Sequence, residues 1–180
     1  MQQLDDQALV TAAQNGHTLA VGELYDRHQE RIFRYVRSRV YDHHLAQDLT
    51  GEIFTRMVTS LHQYENSGYP FTAWLYRIAR NLIIDHQRRE NRYMRVPIEE
   101  VYRVSAAGYE PAAIVEKKLN VERVYQALEQ IDETQREVIR LRFLAGLSLQ
   151  EVADTLGKTV GAIKSQQYRG LVALRATFQQ

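Results

Sequence analysis

Apolar residues recur at three- and four-residue intervals along most of this chain, the spacing that gives a helix one buried face. Leu9, Ala12 and Ala13 share such a face, as do Leu24, Ile32, Tyr35 and Val36. Leu49, Ile53, Phe54, Met57 and Leu61 continue the pattern through 46–61. Tyr64 to Pro70 breaks it, with Asn66-Ser67-Gly68 and Pro70 punctuating a loop. Phe71, Trp74, Leu75, Ile78 and Leu82 then line one narrow stripe of an amphipathic helix. Arg77, Arg80, Asn81, Ile84 and Arg88 line its other side, and across 71–92 five arginines stand against Asp85 and Glu90. Periodicity is lost from about Tyr93 to Ala113, where Pro97, Gly108 and Pro111 interrupt the chain and Glu99, Glu100 and Glu110 outnumber Arg95 and Arg103. A pattern-free stretch of about 20 residues is unusual inside one compact domain. The expectation is therefore a helical domain over 1–92, a linker over 93–113 and a second helical domain over 114–180.

The second block opens with a helix carrying Leu119, Val124, Leu128 and Ile131. Asp132, followed three residues later by Gln135, reads as the start of another, which carries Val138, Ile139, Leu141 and Phe143 and which Gly146 is placed to end. Ser148-Leu149-Gln150-Glu151 is a capping box for a helix holding Val152, Ala153 and Leu156. Ala153 is small where a second helix must cross, and Gly157 suits a tight turn of positive φ. Thr159 then caps a last helix that is expected to bury Ile163, Leu171 and Leu174. From Lys158 to Arg175 there are four basic residues and no acid. Together these features predict a helix-turn-helix over Leu147–Arg175 whose second helix suits a phosphate-lined major groove.

Composition narrows the picture. The chain has 180 residues, three prolines, nine glycines and a net charge of only +1, so DNA affinity must come from local basic faces. There is no cysteine, which removes disulfides, thiolate nucleophiles and cysteine zinc sites, and which fits a reducing, cytoplasmic setting. No leader peptide is legible at Met1–Asp6, and no apolar run approaches the roughly 20 residues of a membrane span.

On these residues the chain resembles a bacterial RNA polymerase sigma factor of the extracytoplasmic-function (ECF) type, within the sigma-70 superfamily. Asp48-Leu49-Thr50-Gly51-Glu52-Ile53-Phe54 is similar to that family's core-polymerase-binding helix. Phe71 to Asp85 is similar to its −10 element helix. Gln135-Arg136-Glu137-Val138, Gly146-Leu147-Ser148, Glu151-Val152-Ala153 and Gly161-Ala162-Ile163-Lys164-Ser165 are similar to its −35 domain. The resemblance implies an all-α fold of two small domains, a sigma-2-like one and a sigma-4-like helix-turn-helix, joined by a flexible linker. It also implies promoter-specific transcription initiation, with core RNA polymerase and promoter DNA as partners, an anti-sigma factor as a further one, and no cofactor, metal or catalytic residue.

The family's division of labour assigns candidate residues. Asp48, Glu52 and Phe54 would meet core polymerase. Tyr64, Asn66 and Tyr69 would form a pocket for a base flipped from the melted −10 element, since aromatic rings stack on exposed bases at about 1–3 kcal/mol each. Arg77, Arg80, Asn81 and Arg88 would contact phosphates and base edges beside it. Phe71 and Trp74 read better as core, on the apolar stripe, although with Tyr76 they belong to the same aromatic cluster. Gly161, Lys164, Ser165, Gln166 and Arg169 would read the duplex −35 element, Lys164 and Arg169 chiefly through phosphates. The acidic linker would run through the polymerase.

Three departures from the family pattern stand out. Gly51 replaces a usual Gln in the polymerase-binding helix, Gln166 a usual Arg, and Gln167 a usual Leu. A Gln pairs bidentately with adenine where Arg prefers guanine, so Gln166 is expected to shift specificity. Two readings from other classes compete. His44, Asp48 and Glu52 share a helix face and could ligate the metal of a hydrolase. A stand-alone helix-turn-helix regulator would bind duplex DNA as a dimer without polymerase, but it has no need of an aromatic loop beside an arginine helix.

Overall fold

The computed structural model describes residues 5–65, 68–93 and 112–179. The described chain is all-α: α1 (Asp6–Gln14), α2 (Thr18–Arg37), α3 (His43–Ser60), a 3₁₀ turn (Leu61–Gln63), α4 (Phe71–Tyr93), α5 (Ala112–Glu129), α6 (Glu133–Ile139), a π-helical turn (Arg140–Leu144), α7 (Leu149–Leu156) and α8 (Val160–Thr177). Side-chain caps set most of the starts. Asp5 accepts from the Ala8 amide, Asp42 from Leu45, Asp132 from Thr134 and Gln135, and Thr159 from Ala162. Ser148 and Glu151 close the capping box reciprocally at α7. Gly157 ends α7 with φ 63°, the left-handed conformation that the turn into α8 requires. Ser148→Ala removes half of the box, and a loss of about 1 kcal/mol is expected in urea unfolding.

α1 to α4 pack around Leu24, Ile32, Ile53, Met57, Leu75 and Leu82, all fully buried. The buried face of α4 is broader than the predicted stripe, because Ala73, Tyr76, Ala79 and Ile83 are also inside. The reason is a second neighbour: α4 packs on α3 along one side and on α7 along the other. Val138, Leu141, Ala145, Leu147, Val152, Ala153 and Ile163 from the second helical unit join the same apolar cluster. A smaller cluster of Tyr125, Leu128, Ile131 and Ile139 lies beneath α5. The two helical units thus share one continuous core. The linker residues Glu99, Glu100 and Glu110 lie outside the described residues.

One expectation in the second unit is corrected. Leu171 is not buried but 40% exposed, because α8 meets α6 through Gly170, which turns its neighbour to solvent. Phe143 is 51% exposed, because the π turn accommodates an additional residue and swings the ring outward beside Arg142. At Gly170 a Cβ would lie 3.0 Å from Ile139 Cγ1 and 3.3 Å from Gln135 Cβ. Gly170→Val overpacks this crossing, and a stability loss of about 2 kcal/mol is expected from denaturant melts.

Candidate nucleic-acid interfaces and partner face

α8 presents the first candidate interface. Its N-terminal half buries Ile163 against the core and turns Gly161, Lys164, Ser165 and Arg169 to solvent, with Gln166 half-buried at the edge. Gly161, Ser165 and Arg169 follow one another at four-residue spacing along one strip of α8, with Lys164 and Gln166 on its opposite flanks. Tyr168, 71% exposed, stands among them and was not singled out from sequence. An apolar side chain breaking the basic face was its only signal. Gln167, by contrast, accepts a hydrogen bond from Arg142 Nε at 2.9 Å. The amide that replaces the usual Leu is thereby engaged within the second unit.

The second candidate lies where the loop after α3 meets α4. Gln63, Tyr64, Glu65, Tyr69, Trp74 and Arg77 line a cavity of about 230 Å³. Tyr64 is a wall of this cavity rather than a free ring: it is buried, its ring lies 5.1 Å from that of Trp74 and 6.0 Å from that of Phe71, and its hydroxyl donates to the Tyr69 carbonyl at 3.0 Å. Burial holds its phenol above the usual range and therefore protonated. Tyr69 is exposed, and the Arg77 guanidinium stacks over it at 4.3 Å. Asn66 lies outside the described residues. Phe71 is core, and Trp74 is partly buried at the cavity wall. Tyr76 is on the far side of α4, fully buried edge-to-face with Tyr35 at 5.5 Å, so it belongs to the core and not to the loop cluster. Its hydroxyl has no hydrogen-bond partner. Tyr76→Phe removes an unsatisfied buried group, and a stability gain of about 1 kcal/mol is expected by thermal denaturation.

The four polar α4 residues divide. Asn81 and Arg88 face solvent. Arg77 and Arg80 face the second unit. Arg77 donates through Nε to the Thr155 carbonyl at 3.3 Å and through Nη2 to the Asp154 carbonyl, both in the last turn of α7. Arg80 Nε lies 3.7 Å from Glu137 Oε1 on α6.

The third candidate is the outer face of α3. Asp48 and Glu52 are exposed there, and Glu52 pairs with Arg56 at 2.8 Å. Phe54 is buried, its ring edge-on to Tyr25 at 4.7 Å, so it supports this face from beneath. Gly51 opens onto empty space between grooves lined by Tyr25, Phe33, Phe54 and Val58. The missing side chain therefore deepens the groove and relieves no clash. Among the described residues no group of His, Asp or Glu side chains converges to hold a metal ion, so His44, Asp48 and Glu52 do not form the ligand set considered above. No described helix is long and apolar enough to cross a membrane.

Comparisons with known proteins match both helical units. The Sigma-70 region 2 model matches residues 24–93, and the Sigma-70, region 4 model matches residues 127–176. The ECF RNA polymerase sigma factor BldN of Streptomyces coelicolor is 36% identical over 166 residues, which cover 92% of this chain and 63% of BldN. The ECF RNA polymerase sigma factor SigD of Mycobacterium tuberculosis is 31% identical over 172 residues, covering 93% of this chain and 81% of SigD. Among solved structures, CnrH in complex with the cytosolic domain of CnrY aligns over 97% of both chains, with a TM-score of 0.74 and 26% identity.

Proposed function

The chain belongs to the sigma-70 family of RNA polymerase sigma factors, in its ECF group, and on that premise we propose that it binds core RNA polymerase and directs initiation at promoters with −10 and −35 elements. The observation that carries this reading is the presence on one chain of an acid-free basic helix face and of arginines beside an aromatic cavity. The acid-free, exposed face of α8 suits duplex DNA. The α4 arginines beside an aromatic cavity suit a melted strand. A duplex-only regulator needs the first surface and has no use for the second.

Roles then follow from placement. Asp48 and Glu52, exposed on α3, are the polymerase contacts, with the buried Phe54 as their support. The cavity beside Tyr69 takes one unstacked base, which Arg77 and Tyr69 flank. Arg80, Asn81 and Arg88 hold the adjacent backbone. In the −35 element Lys164 and Arg169 neutralise phosphates, while Gln166 reads a base edge through its bidentate amide. Neither surface alone supplies tight binding on a chain of net charge +1; affinity arises once polymerase holds both at the spacing of the two elements. The protein acts in the cytoplasm, and an anti-sigma factor restrains it; a partner of this kind is supported by the similarity to CnrH, which was solved in complex with the cytosolic domain of CnrY.

Reconstitution tests this reading. Purified chain added to core polymerase on genomic fragments is expected to yield discrete run-off transcripts absent with core alone. If transcripts never become promoter-specific on any genomic template, the reading fails. Within the same assay, Gln166→Arg is expected to move the preference at one −35 base from adenine to guanine, with a discrimination change of about 1–3 kcal/mol.

A further inference from the structure

Glu137 is a carboxylate on the buried side of α6, with 7% of its side chain exposed. Its partners come from the first helical unit. The Tyr35 hydroxyl donates to Oε1 at 2.6 Å, Arg39 Nη2 lies 2.9 Å from Oε2, and Arg80 Nε approaches Oε1 at 3.7 Å. Tyr35 is wholly buried, and burial followed by the nearby Glu137 charge pushes its phenol well above the usual range, so it remains a donor. Beside this cluster, Arg31 donates to the Ala145 carbonyl at 2.7 Å and to the Gly146 carbonyl at 2.8 Å, just past the π turn. Arg77 does the same for the last carbonyls of α7, at the negative end of that helix's dipole. Four arginines of the first unit are thus engaged by acceptors of the second.

The groups that Arg77 and Arg80 meet here are a carboxylate and backbone carbonyls. These are oxygen acceptors of the kind that nucleic-acid phosphates and base edges supply. While they are in place, the Arg77 guanidinium is taken up by α7 carbonyls and Arg80 Nε is drawn toward Glu137, although the Arg80 side chain stays 39% exposed. The clasp is also imperfect. Arg39 Nε and Nη1 and Arg80 Nε are buried with no hydrogen-bond partner. A buried ionic cluster of this kind adds little net stability over separated, hydrated groups, which suits an interface that must open.

We propose that Glu137 is an intramolecular latch: seated among Tyr35, Arg39 and Arg80, it holds the second helical unit against α4 and keeps Arg77 off DNA until the two units part. The latch itself rests on geometry alone; only the statement that DNA is what Arg77 is withheld from rests on the function proposed above. Glu137→Gln keeps the shape and the acceptor for Tyr35 but removes the charge that balances Arg39 and Arg80. Arg31→Ala weakens the same interface from a different element and leaves the α4 and α8 DNA faces intact.

The chain has no cysteine, so a labelled pair at Thr59→Cys and Ala176→Cys, one exposed site in each unit, reports their separation cleanly. Electron–electron spin distances in the full chain are expected to form one narrow population. Glu137→Gln and Arg31→Ala, each with unchanged helical circular dichroism, are expected to broaden it toward longer distances. Affinity for a fork-junction oligonucleotide with a mixed-sequence single-stranded arm is expected to rise roughly tenfold, as the competent fraction grows. Distances that stay the same in the Glu137→Gln, Arg31→Ala double variant overturn the latch. Longer distances without tighter fork binding overturn the claim that the latch withholds a DNA surface. Failure of promoter-specific transcription, with distances that respond as expected, overturns the proposed function and leaves the latch standing.

Discussion

Reversing charge at Lys164 and Arg169 together is expected to lower promoter-specific initiation by on the order of 100-fold while leaving the fold unchanged. Both side chains are exposed on α8 and neither makes a hydrogen bond or ion pair within the described structure. Their replacement by glutamate therefore costs the protein no packing. Each site loses a favourable phosphate contact of about 1–2 kcal/mol and gains repulsion, and 1.4 kcal/mol corresponds to a tenfold change in affinity. The salt dependence of binding should also flatten, because fewer counterions are released. Run-off yields at several salt concentrations, beside a thermal melt, check both halves of the expectation. A melt that moves with the yield would mean that these residues act through the fold.

The second large effect is of the opposite kind. Leu141 lies in the π turn, fully buried, in the cluster that joins the second unit to α2 and α4. Leu141→Ala is expected to cost about 3–4 kcal/mol, because the transfer energy of the lost methyl groups is compounded by a cavity that two units cannot jointly close. Denaturant unfolding measures the loss directly. The α8 face is untouched, so initiation per folded molecule should not fall, which separates this variant from the charge reversal on α8.

Helix starts were legible because they are local. Asp132, Ser148 and Thr159 each bond amides two or three residues on, so a four-residue window carries the whole interaction. The solvent face of α8 was legible for a similar reason, since a helix without acids has few ways to bury its lysine and arginine. Leu171 and Phe143 were not. Their exposure follows from the Gly170 crossing and from the π turn, and neither is written into the apolar period. The docking of the two units was the least legible feature. Tyr35 and Glu137 are 102 residues apart, and no pattern within either helix records the other. An acid four residues before Leu141, on what the period marks as a buried face, was the one local sign that Glu137 needed a partner. Arg77 and Arg80 read as solvent-facing from their own helix and meet protein oxygens instead. The faces expected to meet DNA and polymerase rest on exposure and charge together with the family resemblance, which is why the charge reversal on α8 and the base preference of Gln166 bear on them so directly.

The measurement closest to the centre of this account is the mapping of transcript 5′ ends made by core polymerase with and without the purified chain on a fragmented genome. A set of start sites that appear only with the chain is expected. They should share two short sequence blocks upstream at a fixed separation, the nearer one reactive to permanganate as melted DNA. Start sites identical to those of core alone, or a single palindromic block bound by the chain without polymerase, would contradict it.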